Sequence, residues 1–159
     1  MSPAVYSVDT SALLDGLERY YPESMFPGLW ERVDGLITAG RFFISEEVWA
    51  EARVHDAATK AWCDRRGKVS LAIPTDAVVT REVTGILTQF PRLVANMKGR
   101  NRADAFVIAV ARLRNAIVVT GEGSDGTENR PKIPYICQQL DVPCIRFIDL
   151  IRSEGWQFR

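Results

Sequence analysis

Short runs of β-branched and aromatic residues alternate along this chain with longer stretches whose apolar positions recur every three or four residues. The short runs predict buried strands at 4–8, 41–44, 69–73, 117–120 and 144–147, since strands favour such residues and are bounded by turn formers. The longer stretches predict helices over 12–20, 28–39, 45–65, from Thr75 or Asp76 to 88, over 102–114 and over 133–140, with a last turn or helix at 148–153. Leu29, Trp30, Val33, Leu36 and Ile37 form one apolar stripe of the second helix, which Gly40 ends. Ser45 is a good N-cap for the third, with Glu46 and Glu47 where the helix dipole favours negative charge. The helix predicted over 102–114, capped by Asn101, is apolar on most sides and so expected at the centre. Strand 117–120 is continuously apolar, as in a parallel strand covered on both faces. A polar loop, 121–131, follows it. Alternating strands and helices imply right-handed crossovers. The expected fold is therefore α/β: a three-layer α/β/α sandwich around a central, mostly parallel sheet of four to five strands.

The 159 residues suit one domain, 1–159, and composition narrows the function classes more than the fold. With 47% hydrophobic and 25% charged residues the chain is neither disordered nor fibrous. Twenty basic and twenty acidic side chains cancel, so any nucleic-acid contact must come from a local patch. Met1-Ser2-Pro3 starts no signal peptide and no run reaches the ~18 apolar residues of a membrane span, so a cytoplasmic protein without membrane contact is expected. Cys63, Cys137 and Cys144 lack the paired spacing of a zinc or redox site and are expected as reduced, mostly buried thiols. A lone His55 excludes a site of several imidazoles, and no nucleophile-elbow pattern accompanies it.

Carboxylates carry the chemistry that remains. Asp9 ends the first strand, where α/β proteins place ligands, although it could equally be a turn or cap residue. Asp104 lies at the start of the most apolar helix. Burial there requires a hydrogen bond, a counter-charge or a metal, unless Asp104 simply stabilises the helix as the third residue after Asn101. Glu51, one turn after Glu47, can project from the edge of an apolar helix face toward the sheet, or be solvated. Glu122 and Asp125 open the loop after the fourth strand. Two strand ends and two helix starts would thus present four acids to one crevice. Without a cation such acids repel and protonate, and a hard divalent ion with oxygen ligands resolves the conflict.

The segments VDTSALL at 8–14, ISEEVWAEARV at 44–54, ADAFVIAVA at 103–111 and VVTGEGSD at 118–125 resemble, in order, the four acidic blocks of PIN domains. The resemblance implies a Rossmann-like parallel sheet and a metal-dependent ribonuclease, Mg2+ or Mn2+ as cofactor and RNA as substrate. By the same likeness Asp9, Glu51, Asp104 and Glu122 are the first to fourth acids, Asp125 a supporting metal ligand, and Thr10, Ser11 and Thr120 the small polar residues that orient the site. PIN domains include toxins of type II toxin–antitoxin pairs, which adds a cognate antitoxin and a homodimer to the implied partners. The fourth block departs from the family: Gly121-Glu122-Gly123 and a long loop replace a compact Thr-Asn-Asp type of sequence, leaving Glu122 and Asp125 both as candidates for the fourth acid.

Lys98, Arg100 and Arg102 just before Asp104, with Arg112 and Arg114 later on the same helix, form a patch able to hold phosphates. Arg65, Arg66 and Lys68 form a weaker one. An apolar surface around Trp30 or Trp49 is a candidate dimer or antitoxin contact. Two other readings compete. An aspartyl-phosphate phosphatase would need a second Asp where Ser11 stands, and a receiver domain a lysine after its last strand. A PIN-like domain that binds RNA or protein without cutting is the non-enzyme alternative.

Overall fold

The computed structural model describes residues 2–95, 103–123 and 126–158. Its core is a five-stranded sheet, every neighbouring pair parallel, built from β1 (Tyr6–Val8), β2 (Phe42–Ser45), β3 (Ala72–Ile73), β4 (Ile117–Val119) and β5 (Cys144–Ile145) in the order β3-β2-β1-β4-β5. Helices cover both faces, which makes the three-layer α/β/α sandwich. Alternation along β1 displays the layering, because successive strand residues point to opposite faces. Ser7 donates from its buried Oγ to the Val107 carbonyl at 2.9 Å, so one face meets α8 (Asp104–Arg114). Tyr6 donates to Glu154 Oε2 at 2.6 Å on the other, where α10 (Phe147–Glu154) lies. Phe147 there packs 5.6 Å, centroid to centroid, from Trp30 of α2 (Pro27–Thr38), which also stacks edge-on against Trp62.

Several elements differ from the sequence expectation for identifiable reasons. The first helix starts at Thr10 as α1 (Thr10–Leu14) and continues as a π-helical segment, Asp15–Tyr20. The helix expected over 45–65 is two, α3 (Glu46–His55) and α4 (Ala57–Arg66). Asp56 separates them by adopting an extended backbone and accepting from Thr59 N at 2.7 Å and Thr59 Oγ1 at 3.0 Å. A side chain that satisfies the first amides of a new helix competes with continuation of the old one. The strand expected over 69–73 is mostly the helical turn α5 (Lys68–Leu71), leaving only β3 as strand; Val69 is 99% exposed and contributes nothing to the core. α6 (Ala77–Gln89) is capped by Asp76, and after the break at Phe90 a short α7 (Pro91–Ala95) follows. Strand β5 stops at Ile145, and α10 begins at Phe147, earlier than expected. Ser45 caps α3 as expected, accepting from Val48 N at 3.1 Å.

Both tryptophans proposed for a docking surface are buried, Trp30 to 1% and Trp49 to 9% exposure. This removes the basis for a dimer or antitoxin contact there. None of the three cysteines forms a disulfide; Cys63 and Cys137 are buried and Cys144 is half-buried. No helix among the described residues is long and apolar enough to cross a membrane.

Asp56→Ala should lower stability by about 1 kcal/mol, the usual cost of losing an N-cap. Urea denaturation checks this, and an unchanged midpoint would show that α3 and α4 separate without the cap.

Candidate functional site

The sheet order places a topological switch between β1 and β4: the chain leaves β1 toward β2 and β3, then returns to the other side of β1 as β4. Crevices beyond the carboxyl ends of such strands are where open α/β sheets bind ligands. Asp9 directly follows β1 and is 4% exposed, with its own amide bonded to Val119 O at 2.8 Å. Ser11 donates to Asp9 Oδ2 at 2.7 Å and Thr120 donates to the same oxygen at 3.1 Å. Gly121 N in turn donates to Ser11 Oγ at 2.9 Å, and Glu122 N to Thr120 Oγ1 at 3.2 Å. Ser11 and Thr120 thus orient Asp9 and tie the loop after β4 to the loop after β1.

Gly121 is required by this closure. A Cβ on it would run into the Asp15 carboxylate and lie 3.1 Å from Ser11 O. Asp15 was not singled out from sequence; it stands at the rim at the junction of α1 and the π-helical segment, one turn after Ser11, and Arg19 pairs with it at 3.1 Å.

Glu122 is fixed from the far side of its loop. Ile133 N, the first amide of α9 (Ile133–Gln139), donates to Glu122 Oε2 at 2.8 Å. The intervening segment can fold back because Gly126 has φ +78° and bridges Pro131; a Cβ there would stand 2.6 Å from both Arg130 O and Lys132 N. Asp125 lies outside the described residues. Of the two candidates for the fourth acid, Glu122 is the one among the described residues, and it lies beside Asp9 and Asp104.

Asp104 opens α8 and is 4% exposed. Ala103 occupies the N-cap position, so Asp104 is the first helical residue rather than the third, and among the described residues it makes no capping hydrogen bond. Asn101, the expected cap, lies outside the described residues. The carboxyl of Asp104 is pushed up from 3.8 to about 9, chiefly by burial and then by the charges of Asp9, Glu122 and Glu51, against a small opposing pull from Lys132. Burial also raises Glu51, as does the charge of Asp9; Glu122 is raised by the same two causes, and Asp9 by burial. Asp104 thus lies within electrostatic reach of Asp9, Glu122 and Glu51, and each of the four is disfavoured as an anion. Among the described residues Lys132, exposed at the loop end, is the cation that eases both Asp104 and Glu122. Its place just ahead of the Pro-bearing first turn of α9 was the sequence signal for it.

Thr10 completes the group in an unusual way. Its hydroxyl is buried and has no hydrogen-bond partner of normal geometry, yet it lies near enough to Glu51 to stabilise that carboxylate slightly. A buried unpaired hydroxyl facing an acidic crevice suits a further ligand.

The basic residues divide. Lys98, Arg100 and Arg102 lie outside the described residues. Arg112 pairs with Glu82 at 2.7 Å, and Arg114 sits over the Phe43 ring at 6.0 Å, both at the far end of α8 from Asp104. The weaker patch is paired as well: Arg65 with Glu23, Arg66 with Asp34 and Glu23, and Lys68 with Glu46. Neither Arg112 and Arg114 nor Arg65, Arg66 and Lys68 are free to hold phosphate at the crevice. Among the described residues, the group whose ligand atoms all lie within 4.8 Å of one another is a different one, Glu18, His55 and Asp56. Two of its members are exposed, and Asp56 is already committed to capping α4.

Residues 6–158 match a family model described as a domain of unknown function (DUF4411). The chain belongs to the DUF4411 family. No curated protein matches it. In this DUF4411 chain the matched region includes every acid of the crevice.

Raised carboxyl pKa values give the site a defined pH behaviour. Folded Asp104 keeps its proton until about pH 9, whereas in the unfolded chain it ionises near 3.8, so folding holds an extra proton between these values. Stability must then fall as pH rises through that window, and the other three acids act in the same direction. In chelator, the DUF4411 protein should lose melting temperature between pH 5 and 9, and Asp104→Asn should flatten the decline. A melting temperature of the unsubstituted protein that climbs over this range would contradict the burial of the four acids.

Proposed function

We propose that this protein is a metal-dependent endoribonuclease of PIN type. One observation carries the reading: Asp104 is buried at the switch point of a parallel sheet among three further carboxylates, Asp9, Glu51 and Glu122, and among the described residues only the exposed Lys132 opposes their charge. The donor set fits magnesium or manganese, because it is all oxygen and contains no imidazole or thiolate. The unpaired Thr10 hydroxyl fits it too.

Asp9, Glu51, Asp104 and Glu122 would hold the ion, and a bound Mg2+ or Mn2+ would supply Lewis acidity toward a phosphodiester and an attacking water. The chain's own residues prepare that chemistry. Ser11 and Thr120 fix the direction of Asp9, and the α9 amide fixes Glu122, so neither must be reoriented when charge arrives. Asp104 holds a proton at neutral pH and releases it when a cation takes its place. Lys98, Arg100 and Arg102 immediately precede Asp104 in sequence and are the proposed phosphate grip for RNA. The order of acidic blocks that resembles PIN domains supports the same assignment, and an antitoxin remains a partner to be sought by its effect on cleavage.

Asp104→Asn should cut RNA at least about a hundredfold more slowly than the unsubstituted protein in Mg2+ or Mn2+, in line with the loss of a preorganised electrostatic group. The products should carry 5′-phosphate and 3′-hydroxyl ends, and chelator should stop the reaction. Equal cleavage by both proteins, or cleavage that survives chelator, would overturn the reading; tight RNA binding without cleavage would replace it with a binding domain.

A further inference from the structure

Beside the acidic crevice, and sharing Thr120 and Glu122 with it, opens a cleft of about 500 Å³ between α9 and the end of β5. Its walls are of two kinds. Pro134, Val142 and Ile145 are apolar, whereas Gln138 and Arg146 offer hydrogen-bonding groups. Arg146 is the residue between β5 and α10, and its guanidinium lies across from the loop after β4: a Cβ built on Gly123, the residue next to Glu122, would stand 3.4 Å from Arg146 Nη2. The side chain is exposed and forms no ion pair among the described residues. The remaining charge of the cleft, Asp149, is engaged: it accepts from Arg146 N at 3.2 Å at the start of α10 and pairs with Arg152 at 3.4 Å.

A guanidinium held open to solvent one residue from a proposed metal ligand matches a phosphate, which it can meet with two parallel N–H donors. The space between that guanidinium and Glu122 has the volume of a small-molecule site, and its mixed lining suits an amphipathic group with an apolar face and a polar edge. One ribonucleotide has all three properties: an anionic phosphate, a ring with two π faces, and hydrogen-bonding edges. Gln138, as both donor and acceptor, is placed on the wall that such an edge would face.

Resting on the nuclease reading of the acids, we propose that the cleft between α9 and β5 is a nucleotide subsite of the substrate strand, in which Arg146 binds a phosphate next to the bond that is cut and Gln138 contacts the base. Substrate would then enter along the carboxyl ends of β4 and β5 and cross the acids after β4 and β1. The cation of Arg146 serves a different part of the strand from the basic run before Asp104. Glu122 stands at the boundary between the two, common to the cleft and to the acid cluster.

Binding of a short, labelled, single-stranded oligoribonucleotide with Mn2+ tests this, measured in the Asp104→Asn protein so that the strand stays intact, with and without Arg146→Ala, Arg146→Lys or Gln138→Ala. Arg146→Ala should weaken binding about tenfold, the loss of a charge-assisted contact. It should also make the dependence of log affinity on log salt shallower by about 0.7, one phosphate on a single strand. Arg146→Lys should restore the salt slope but only part of the affinity, because lysine keeps the charge and loses the fork. Gln138→Ala should weaken binding unequally for strands of different base. In the cleaving protein, Arg146→Ala should raise KM more than it lowers kcat. Thermal melts in parallel identify any variant that has lost its fold, and Arg146→Lys then carries the comparison. Unchanged affinity and salt slope in Arg146→Ala, while the unsubstituted protein still cuts RNA in a metal-dependent way, would overturn the subsite and leave the nuclease standing. No cleavage and no RNA binding by the unsubstituted protein would overturn the nuclease reading and the subsite with it.

Discussion

Burial of Asp9 and Asp104 close to Glu51 and Glu122, and the repulsion that burial leaves unscreened, is the constraint around which this structure is arranged. Water would dilute it, but Asp9 and Asp104 are almost wholly buried and the effective dielectric there is low. A fold tolerates such a site only where other bonds hold the backbone in place. Here those bonds are a short polar network, with Ser11 and Thr120 on Asp9, and the α9 amide on Glu122. Each joins a loop after one strand to a loop or helix belonging to another. Asp9 and Glu122 are thus held by hydrogen bonds that favour their charged form, in surroundings that disfavour it.

Much of this was legible in the sequence because it depends on short-range rules. Strand ends were visible as apolar runs stopping at Asp9 and at Thr120, and a run of small and β-branched residues marked α8 as central, which made Asp104 conspicuous. A parallel sheet then followed from alternation, and the switch point from its order. Glu51 needed more, since only packing decides whether an acid at the edge of an apolar face turns inward. What escaped the pattern did so for physical reasons. Asp56 reads as an ordinary helix acid until its side chain is seen to satisfy the Thr59 amide, and periodicity does not register that competition. Val69 fits a strand by propensity, yet Gly67 with φ +86° sends the chain into a helical turn and exposes it. The π-helical segment from Asp15 to Tyr20 has a wider repeat than a 3.6-residue template anticipates.

Charge placement separates two kinds of basic residue that look alike in sequence. Arg65, Arg66, Lys68 and Arg112 are tied to acids and join helices to one another, so their contribution is to packing. Arg66 also lies 4.4 Å over the Trp62 ring, burying its stem while its charge meets Asp34 and Glu23. Arg146 stands apart by facing a cleft with no acid bonded to its guanidinium among the described residues. Proximity along the chain to a catalytic-looking acid favoured Arg112 and Arg114; direction along α8 removed them.

The contacts of Glu154 bear on how the protein is made. Tyr6 of the central strand donates to it, and Arg41, one residue ahead of β2, meets it at 2.7 Å. Phe147 of the same helix fills the space against Trp30. Strand β1 is thus covered by a helix made well over a hundred residues after it, and β5, which backs the proposed nucleotide cleft, comes only just before that helix. Until translation has passed residue 154, Tyr6 and Arg41 lack their common partner and one face of the sheet stands open. Closure of this face of the sheet is therefore one of the late steps in the folding of the growing chain, after the strands it covers have been made.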